Sequence, residues 1–495
     1  MAPVDRPFPP GDYPVVVVGS GPGGLQTSYF LRRHGIEHAV ISKDEEPGGM
    51  FRQFPLFDRL VSWTKPYAPV KEGTREYEWF DWNSLLADDP ADWVGVGQFM
   101  DGTSEFPSRE EMHKAITTYA EKNKIQVRYG CTWEGTERNE NGFVIKTSEG
   151  DYSCRVAVFG VGVAEPWKPP NIPGIEDIPH YIEMGPPKTY AGKSLYILGK
   201  ATSAFEVADG LLPWAKSMVL SSPSEVKLSV VERSLAGLRA RYTQPLEDYA
   251  IGGRTVTILD ASTERIEKMH EGFRVSLRGS MANWELSLDF DAAVATTGVS
   301  APLQDLPDIG VATFSGGRLP GQTPYWESAS VPGIYFTGSI TQGAVGMRGP
   351  GGAAVHAFRY CTRILASHIA QRQFGQTPKR TPVKGSDLVD FLLDEATRGP
   401  ELWNQKMYLA RVVGFDKKQG LVDEGIHPLA HFVDYDRPDG VAVAVTSVEG
   451  VPSPVFYVRS GSRVDEVIGE SDLMLDFATP ENKRHLTSVL KDVTG

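Results

Sequence analysis

Val15-Val16-Val17-Val18-Gly19-Ser20-Gly21-Pro22-Gly23-Gly24 is the stretch on which the reading of this chain turns. Four consecutive β-branched residues without polar alternation mark a strand covered on both faces of a parallel sheet. The glycines follow at once in the spacing GxGxxG. There the first permits a tight turn, the second lets backbone approach a pyrophosphate, and the third lets helix and strand pack closely. Beyond Gly24 the apolar positions Leu25, Tyr29, Phe30 and Leu31 have helical spacing, Gly35 stops the helix, and residues 38–41 read as a second strand. The order is that of a dinucleotide-binding βαβ unit, whose helix N-terminus offers N–H groups and a positive dipole to phosphate. Gly19, Gly21, Pro22, Gly23 and Gly24 are therefore candidate cofactor contacts. A carboxylate is expected about 20 residues on, for the ribose hydroxyls. The second strand instead ends in Ser42, followed by Lys43 and Asp44, so Ser42 and Lys43 fall at the ribose position.

Further along, the pattern repeats. Residues 194–198 read as a buried strand, Gly199-Lys200-Ala201-Thr202-Ser203-Ala204 as its turn, residues 205–212 as the start of a helix and residues 218–220 as the next strand. Ala201 replaces the middle glycine, adding a methyl where backbone would approach a pyrophosphate. Thr202 and Ser203 offer hydroxyl and N–H groups in compensation. Gly199, Ala201, Thr202 and Ser203 are candidates for a nicotinamide dinucleotide, against the alternative of a degenerate unit without ligand. An arginine near the end of the second strand usually marks a 2′-phosphate site, but that stretch reads Ser221-Ser222-Pro223-Ser224, with Lys227, Arg233, Arg239 and Arg241 farther on. NADH and NADPH both stay open.

Residues 155–161 read as a strand, Pro166, Pro169, Pro170 and Pro173 as an extended crossing, and residues 292–296 as a strand returning from the second unit. A strand at 333–336 leads through Gly338 to Gly349-Pro350-Gly351-Gly352 and a helix over residues 353–370. Such a helix entry can direct N–H groups and dipole at the negative charge that a reduced flavin carries near N1 and C2=O. A plain glycine-rich entry fits these residues equally well; combined with the first turn, flavin is favoured. Arg348 stands beside the turn, whereas His356, a lone histidine in a helix, is given no catalytic role. In the tail, residues 388–413 look helical, 430–458 carry strand-like runs and 481–490 read as a final helix.

The predicted fold is α/β, with two Rossmann-like dinucleotide-binding domains and an α+β C-terminal extension. Its expected boundaries are 1–164 for the first part of an FAD-binding domain, 165–298 for an inserted NAD(P)H-binding domain, 299–376 for the second part of the FAD domain and 377–495 for the extension. The extension carries no catalytic motif and reads as a packing or homodimerisation element.

Composition narrows the function classes. At 495 residues with 41% hydrophobic and 23% charged residues, the usage is globular. A net charge of −13 argues against a general nucleic-acid or anionic-membrane binder, which needs a basic excess. Cys131, Cys154 and Cys361 lie far apart and form no CxxC pair or metal-ligand cluster, so neither zinc nor a dithiol is expected. No apolar run approaches a membrane span, and cytoplasmic residence is expected.

Gly19 to Gly24, Pro47-Gly48-Gly49-Met50-Phe51, Asp81-Trp82-Asn83-Ser84-Leu85-Leu86, Ser203-Ala204-Phe205-Glu206 and His356-Ala357-Phe358-Arg359-Tyr360 together resemble the FAD-dependent oxidoreductase domain-containing proteins, related to class B flavin monooxygenases. The resemblance covers about residues 13–370 and, more loosely, the C-terminal extension. It implies FAD, a nicotinamide cofactor with NADPH favoured, dioxygen, and transfer of one oxygen atom through a flavin C4a-hydroperoxide to a nitrogen, sulfur or carbonyl of a small molecule, such as an amine or amino acid. It also implies that Gly49, Met50, Phe51 and Arg52 border the flavin, that Trp133 meets the adenine through its backbone, and that Gly338 and Ser339 touch the ribitol; Trp63, Gly351, Gly352 and Ala353 are further candidate cofactor contacts. Thr64, Lys65 and Arg348 are the candidates for substrate and oxygen chemistry. Residues 174–185 lack the FxGxxxH pattern of flavin monooxygenases. A flavin dehydrogenase or reductase, and a flavin-stabilised binding or scaffold protein, are the rival readings.

Overall fold

The computed structural model describes residues 6–54, 56–57, 59–229, 237–343, 352, 354–416, 418–435, 437–448 and 450–491. The chain falls into two compact units, one made of Met1–Gln53, Ser62–Val163 and Ala301–Gly495, the other of Phe54–Val61 and Ala164–Ser300. Both are mixed α/β.

In the first unit the strand Gly11–Val18 is central. It pairs in parallel with His38–Ser42 on one side and Gly150–Phe159 on the other, and Arg128–Tyr129 extends the sheet beyond His38–Ser42. The strand Gly150–Phe159 shows how pattern sets pairing. Its first half alternates, with Tyr152 and Cys154 buried, and pairs antiparallel with Gly142–Thr147. Its second half, Val156 to Phe159, is buried without a break and lies between two parallel neighbours, Gly11–Val18 and Ile334–Phe336. The helix Pro22–Arg33 buries every residue from Pro22 to Leu31 against this sheet and against the long helix Val355–Phe374.

After residue 376 the chain builds a second, antiparallel sheet in the same unit. Its order is Thr381–Pro382, Gly420–Pro428, Leu409–Asp416, Gly440–Val448, Val451–Ser460, Arg463–Ile468. The expected helix over 388–413 is corrected: Leu388–Arg398 and Pro400–Asn404 are separate helices, and Leu409–Asp416 is a strand. Pro400 lacks an N–H and begins a new helix rather than continuing one. Leu409, Ala410, Val412 and Val413 then gain more from a sheet paired on both sides than from helical propensity. Within the expected strand region, Leu429–Asp434 is a helix. Helices Leu388–Arg398 and Pro480–Val489 bury Leu388, Leu392 and Leu486 against Val441, Val443 and Phe456 of the sheet.

The second unit has four parallel strands, Val256–Lys268, Ser217–Ser222, Ser194–Leu198 and Ala292–Ala295, extended by the antiparallel Phe273–Gly279 and Glu285–Phe290. Its helix Thr202–Leu211 begins at Thr202, three residues before the expected start, because Thr202 and Ser203 form the first helical turn after the extended Ala201.

Candidate cofactor site

The first glycine turn fits its motif atom by atom. Gly19 has φ +113°, and a Cβ there would stand 2.4 Å from the Gly160 carbonyl oxygen. A Cβ on Gly24 would meet Gly19 O at 2.0 Å, so this position packs helix on strand. Gly23 lies against Gly338, where a Cβ would fall 2.4 Å from its Cα, and Thr27 Oγ1 donates to the Gly23 carbonyl while bonding to Thr337. Gly21 differs from these. A Cβ there would meet nothing nearer than Gly49 Cα at 3.8 Å, and Gly21 caps the helix Pro22–Arg33 with no side-chain hydrogen bond. The space and the helix-terminal N–H groups are thus left for a ligand, as a pyrophosphate requires.

Ser42 is buried. Its Oγ accepts from Ser20 Oγ at 2.8 Å and from the Asp44 N–H at 3.2 Å. Lys43 is exposed. A carboxylate stands beside this turn in Asp44, whose Oδ2 lies 3.4 Å from Ser20 Oγ and whose Oδ1 lies 3.9 Å from the Arg52 guanidinium. Sequence reading missed Asp44 because it expected the carboxylate on the strand, whereas the chain after Ser42 folds back toward the turn. Gly49, Met50, Phe51 and Arg52 form a single 3-10 turn; Gly49 has φ +54° and a Cβ there would come within 2.9 Å of Gly21 Cα. Arg52 Nε also pairs with Glu46 at 3.2 Å.

The two specific strings of the sequence meet each other. Arg359, fully buried, donates to the Ser84 carbonyl at 2.9 Å and to the Glu78 carbonyl at 3.2 Å. Gln26 of the first helix donates to the Arg359 carbonyl and accepts from the Leu86 N–H. Trp82 is sandwiched, its ring 3.6 Å from that of Trp63 and 4.3 Å from that of His356. His356 is therefore an aromatic packing partner at the start of the long helix. Thr64 is wholly buried: its Oγ1 donates to Asp81 at 2.9 Å and accepts from Asn83 Nδ2 at 3.0 Å. An internal hydroxyl so occupied helps to order the Asp-Trp-Asn-Ser turn. Lys65 is half exposed, its ammonium 3.8 Å from Glu105.

Trp133 is buried against Phe159, and its carbonyl accepts from Gln304 Nε2 at 3.2 Å. Gly338 and Ser339 open a 3-10 segment, Gly338–Gly343, with Gly338 at φ +79°. Gly352 lies ahead of the helix Val355–Phe374, which has no side-chain cap. Arg348, Gly351 and Ala353 lie outside the described residues.

In the second unit, Gly199 has φ +134° and a Cβ there would meet Thr296 Oγ1 at 2.3 Å. Ala201 is exposed and caps the helix without a side-chain bond; Thr202 and Ser203 are half-buried in its first turn. Lys200 turns inward to pair with Asp260, and Ser221 Oγ donates to the Ala261 carbonyl at 2.7 Å. Arg239 donates to the Val61 carbonyl at 3.1 Å, while Arg241 lies over Tyr242; Arg233 lies outside the described residues.

All three cysteines are buried free thiols, and burial pushes Cys154 up to about 12. Among the described residues no helix is long and apolar enough to cross a membrane, and no cluster of metal-ligating side chains occurs.

The chain is similar in sequence and fold to known proteins. The FAD-dependent oxidoreductase domain-containing protein 2 of Danio rerio is 25% identical over 439 residues, covering 76% of this chain and 61% of its own. The chain thus spans under two thirds of that relative's length. Solved structures of similar fold include a bacillithiol disulfide reductase from Staphylococcus aureus (TM-score 0.57, 15% identity, 73% of this chain and 99% of that one). A flavin-containing monooxygenase from Stenotrophomonas maltophilia is comparably similar (TM-score 0.55, 17% identity, 73% and 99%). Residues 16–338, from the first strand to the glycine that packs on Gly23, match the pyridine nucleotide-disulphide oxidoreductases, and it is to this family of flavin-dependent oxidoreductases that the chain belongs.

Proposed function

We propose that the chain is an FAD-dependent monooxygenase that draws hydride from NADPH or NADH and inserts one atom of dioxygen into a small molecule, an amine or amino acid being the first class to test. The observation that carries FAD binding is the first turn: an open glycine, an uncapped helix and a carboxylate returning to the same place. Bound there, the flavin would supply the two-electron reduction and oxygen activation. The chain's own groups bind and orient. The N-terminus of Pro22–Arg33 would hold pyrophosphate, Asp44 a ribose hydroxyl, and the N-terminus of Val355–Phe374 would favour negative charge on the reduced ring. Thr202 and Ser203 would receive the nicotinamide dinucleotide in the second unit. Three separated buried thiols, with Cys154 and Cys361 pushed up by burial, do not favour a dithiol reductase. The family strings favour oxygen insertion over simple dehydrogenation.

The test is anaerobic reduction of the FAD-loaded protein by NADPH and by NADH, then turnover in labelled dioxygen with a panel of small amines and amino acids. One labelled oxygen in the product is expected. Reduction with every electron recovered as hydrogen peroxide across the panel would leave a reductase or oxidase, and no reduction by either nucleotide would leave a binding or scaffold protein.

A further inference from the structure

The segment after residue 376 has so far only a packing role, yet one of its side chains reaches the entry of the long helix. Gln405 is 1% exposed. Its Oε1 accepts the Gly352 N–H at 3.1 Å, and its Nε2 donates to Cys361 Sγ at 3.1 Å, one and a half turns into the helix Val355–Phe374. The carboxamide thus ties the chain before the helix to the helix body. Gly352 is tightly seated as well, since a Cβ there would come 2.2 Å from Ala357 Cβ.

Gln405 is itself held. Its N–H donates to the Glu401 carbonyl, and its own carbonyl accepts from the N–H groups of Tyr408 and Leu409, all at 3.0 Å. Glu401 is buried between two arginines, with Arg363 of the long helix at 2.8 Å and Arg75 also at 2.8 Å. Burial alone would raise the Glu401 carboxyl; the two guanidiniums outweigh it and hold it down at about 2. Glu395 shares Arg75 at 2.7 Å. Gln405 therefore stands on a frame with little freedom.

We propose that Gln405 is a positioning residue for the flavin: by holding Gly352 and Cys361 together it fixes the approach to the helix N-terminus that meets the reduced ring. This rests on the reading of an FAD site in the first unit. A buried amide that satisfies two partners loses both when its polar head is removed, and a helix entry free to shift presents its dipole less well to a charge forming in front of it.

The experiment compares full-length wild type with Gln405→Met, which keeps side-chain length and removes both bonds. FAD affinity is measured by titration, the midpoint potential by dye equilibration and the melting temperature on the apoprotein. Gln405→Met is expected to weaken FAD about tenfold, the worth of a buried hydrogen bond and its unpaired partner. Its potential is expected to move to more negative values, by about 30 mV for each tenfold by which reduced flavin is held less well than oxidised. A lower melting temperature with unchanged affinity and potential would mean plain packing and would overturn the proposal. In wild-type apoprotein the Gly352 amide is expected to be protected from hydrogen exchange, and free exchange there would overturn the proposal without any variant. Failure of wild type to take up FAD would remove the flavin reading itself, whereas uptake with Gln405→Met indistinguishable from wild type removes only the role of Gln405.

Discussion

The two glycine turns share a plan and differ in what they leave unspent. In the first, Gly21 is open and the side chains around it, Ser20, Ser42 and Asp44, form a chain of hydrogen bonds ending in a carboxylate half-exposed beside the turn. In the second, Ala201 adds a methyl at the open position, Lys200 turns inward to Asp260, and Ser221 spends its hydroxyl on a backbone carbonyl. Beside the first turn only the Asp44 carboxylate stays partly exposed, while Lys200 and Ser221 of the second are engaged within their own unit. The difference suits a resident cofactor at one turn and a visiting one at the other.

The largest effect is expected where backbone touches backbone. Gly23→Ala would drive a methyl to 2.4 Å from Gly338 Cα, and should cost about 3 kcal/mol in chemical denaturation, with loss of flavin. Ala201→Val, at an exposed position, should change stability by less than about 0.5 kcal/mol. Equal costs would mean that the two turns are packed alike. Gly21→Ala has room to fold, so its effect should fall on binding: about a hundredfold weaker FAD by titration, with melting little changed.

Acid should separate the units next. In the first, Tyr325 is ringed by His368, stacked at 4.0 Å, by His427, hydrogen-bonded at 2.7 Å, and by His431. Burial, aided by Arg372 near His368 and by Arg437 near the other two, lowers His368 and His427 to about 4 and His431 to about 3. Below about pH 6.5 the unfolded chain takes up protons that the folded cluster refuses, so stability falls as pH drops. In the second unit, burial raises Glu206 to about 7, only partly offset by Arg241. A raised carboxyl works the other way, adding stability as pH falls from about 7 toward 4.5, although His180, lowered by burial, opposes it. Between pH 7 and pH 5 each of the three histidines should cost the first unit up to about 2 kcal/mol of exchange-resolved stability, and the second unit should lose less. A larger drop in the second would contradict the assignment of these groups.

Smaller effects bear on the ribose and nicotinamide contacts. Asp44→Ala should weaken FAD about tenfold and leave nicotinamide affinity unchanged. Ala201→Gly should tighten nicotinamide binding by about threefold or less, measured by fluorescence titration, because it restores the close approach at no backbone strain.

Much of this was legible in sequence for a physical reason: strands buried on both faces and turns that admit only glycine leave local signatures. Val15 to Val18 and Gly19 to Gly24 could fold in few other ways. The misses all depend on distance in sequence. Asp44 needed the path of the chain after Ser42, and Thr64 could not be recognised as internal without Asp81 and Asn83 beside it. The strand Leu409–Asp416 reads as helix until its neighbours on both sides are known. Gln405 carries no motif at all, and its contact with Gly352 spans 53 residues.

On the proposed function the first turn, and not the second, holds the flavin. The direct measurement is the FAD content of the purified chain, by visible absorbance after equilibration with excess FAD and gel filtration, for wild type, Gly21→Ala and Ala201→Val. Flavin is expected to stay with wild type and Ala201→Val and to be lost from Gly21→Ala. Flavin retained by Gly21→Ala, or lost from Ala201→Val, would contradict this placement.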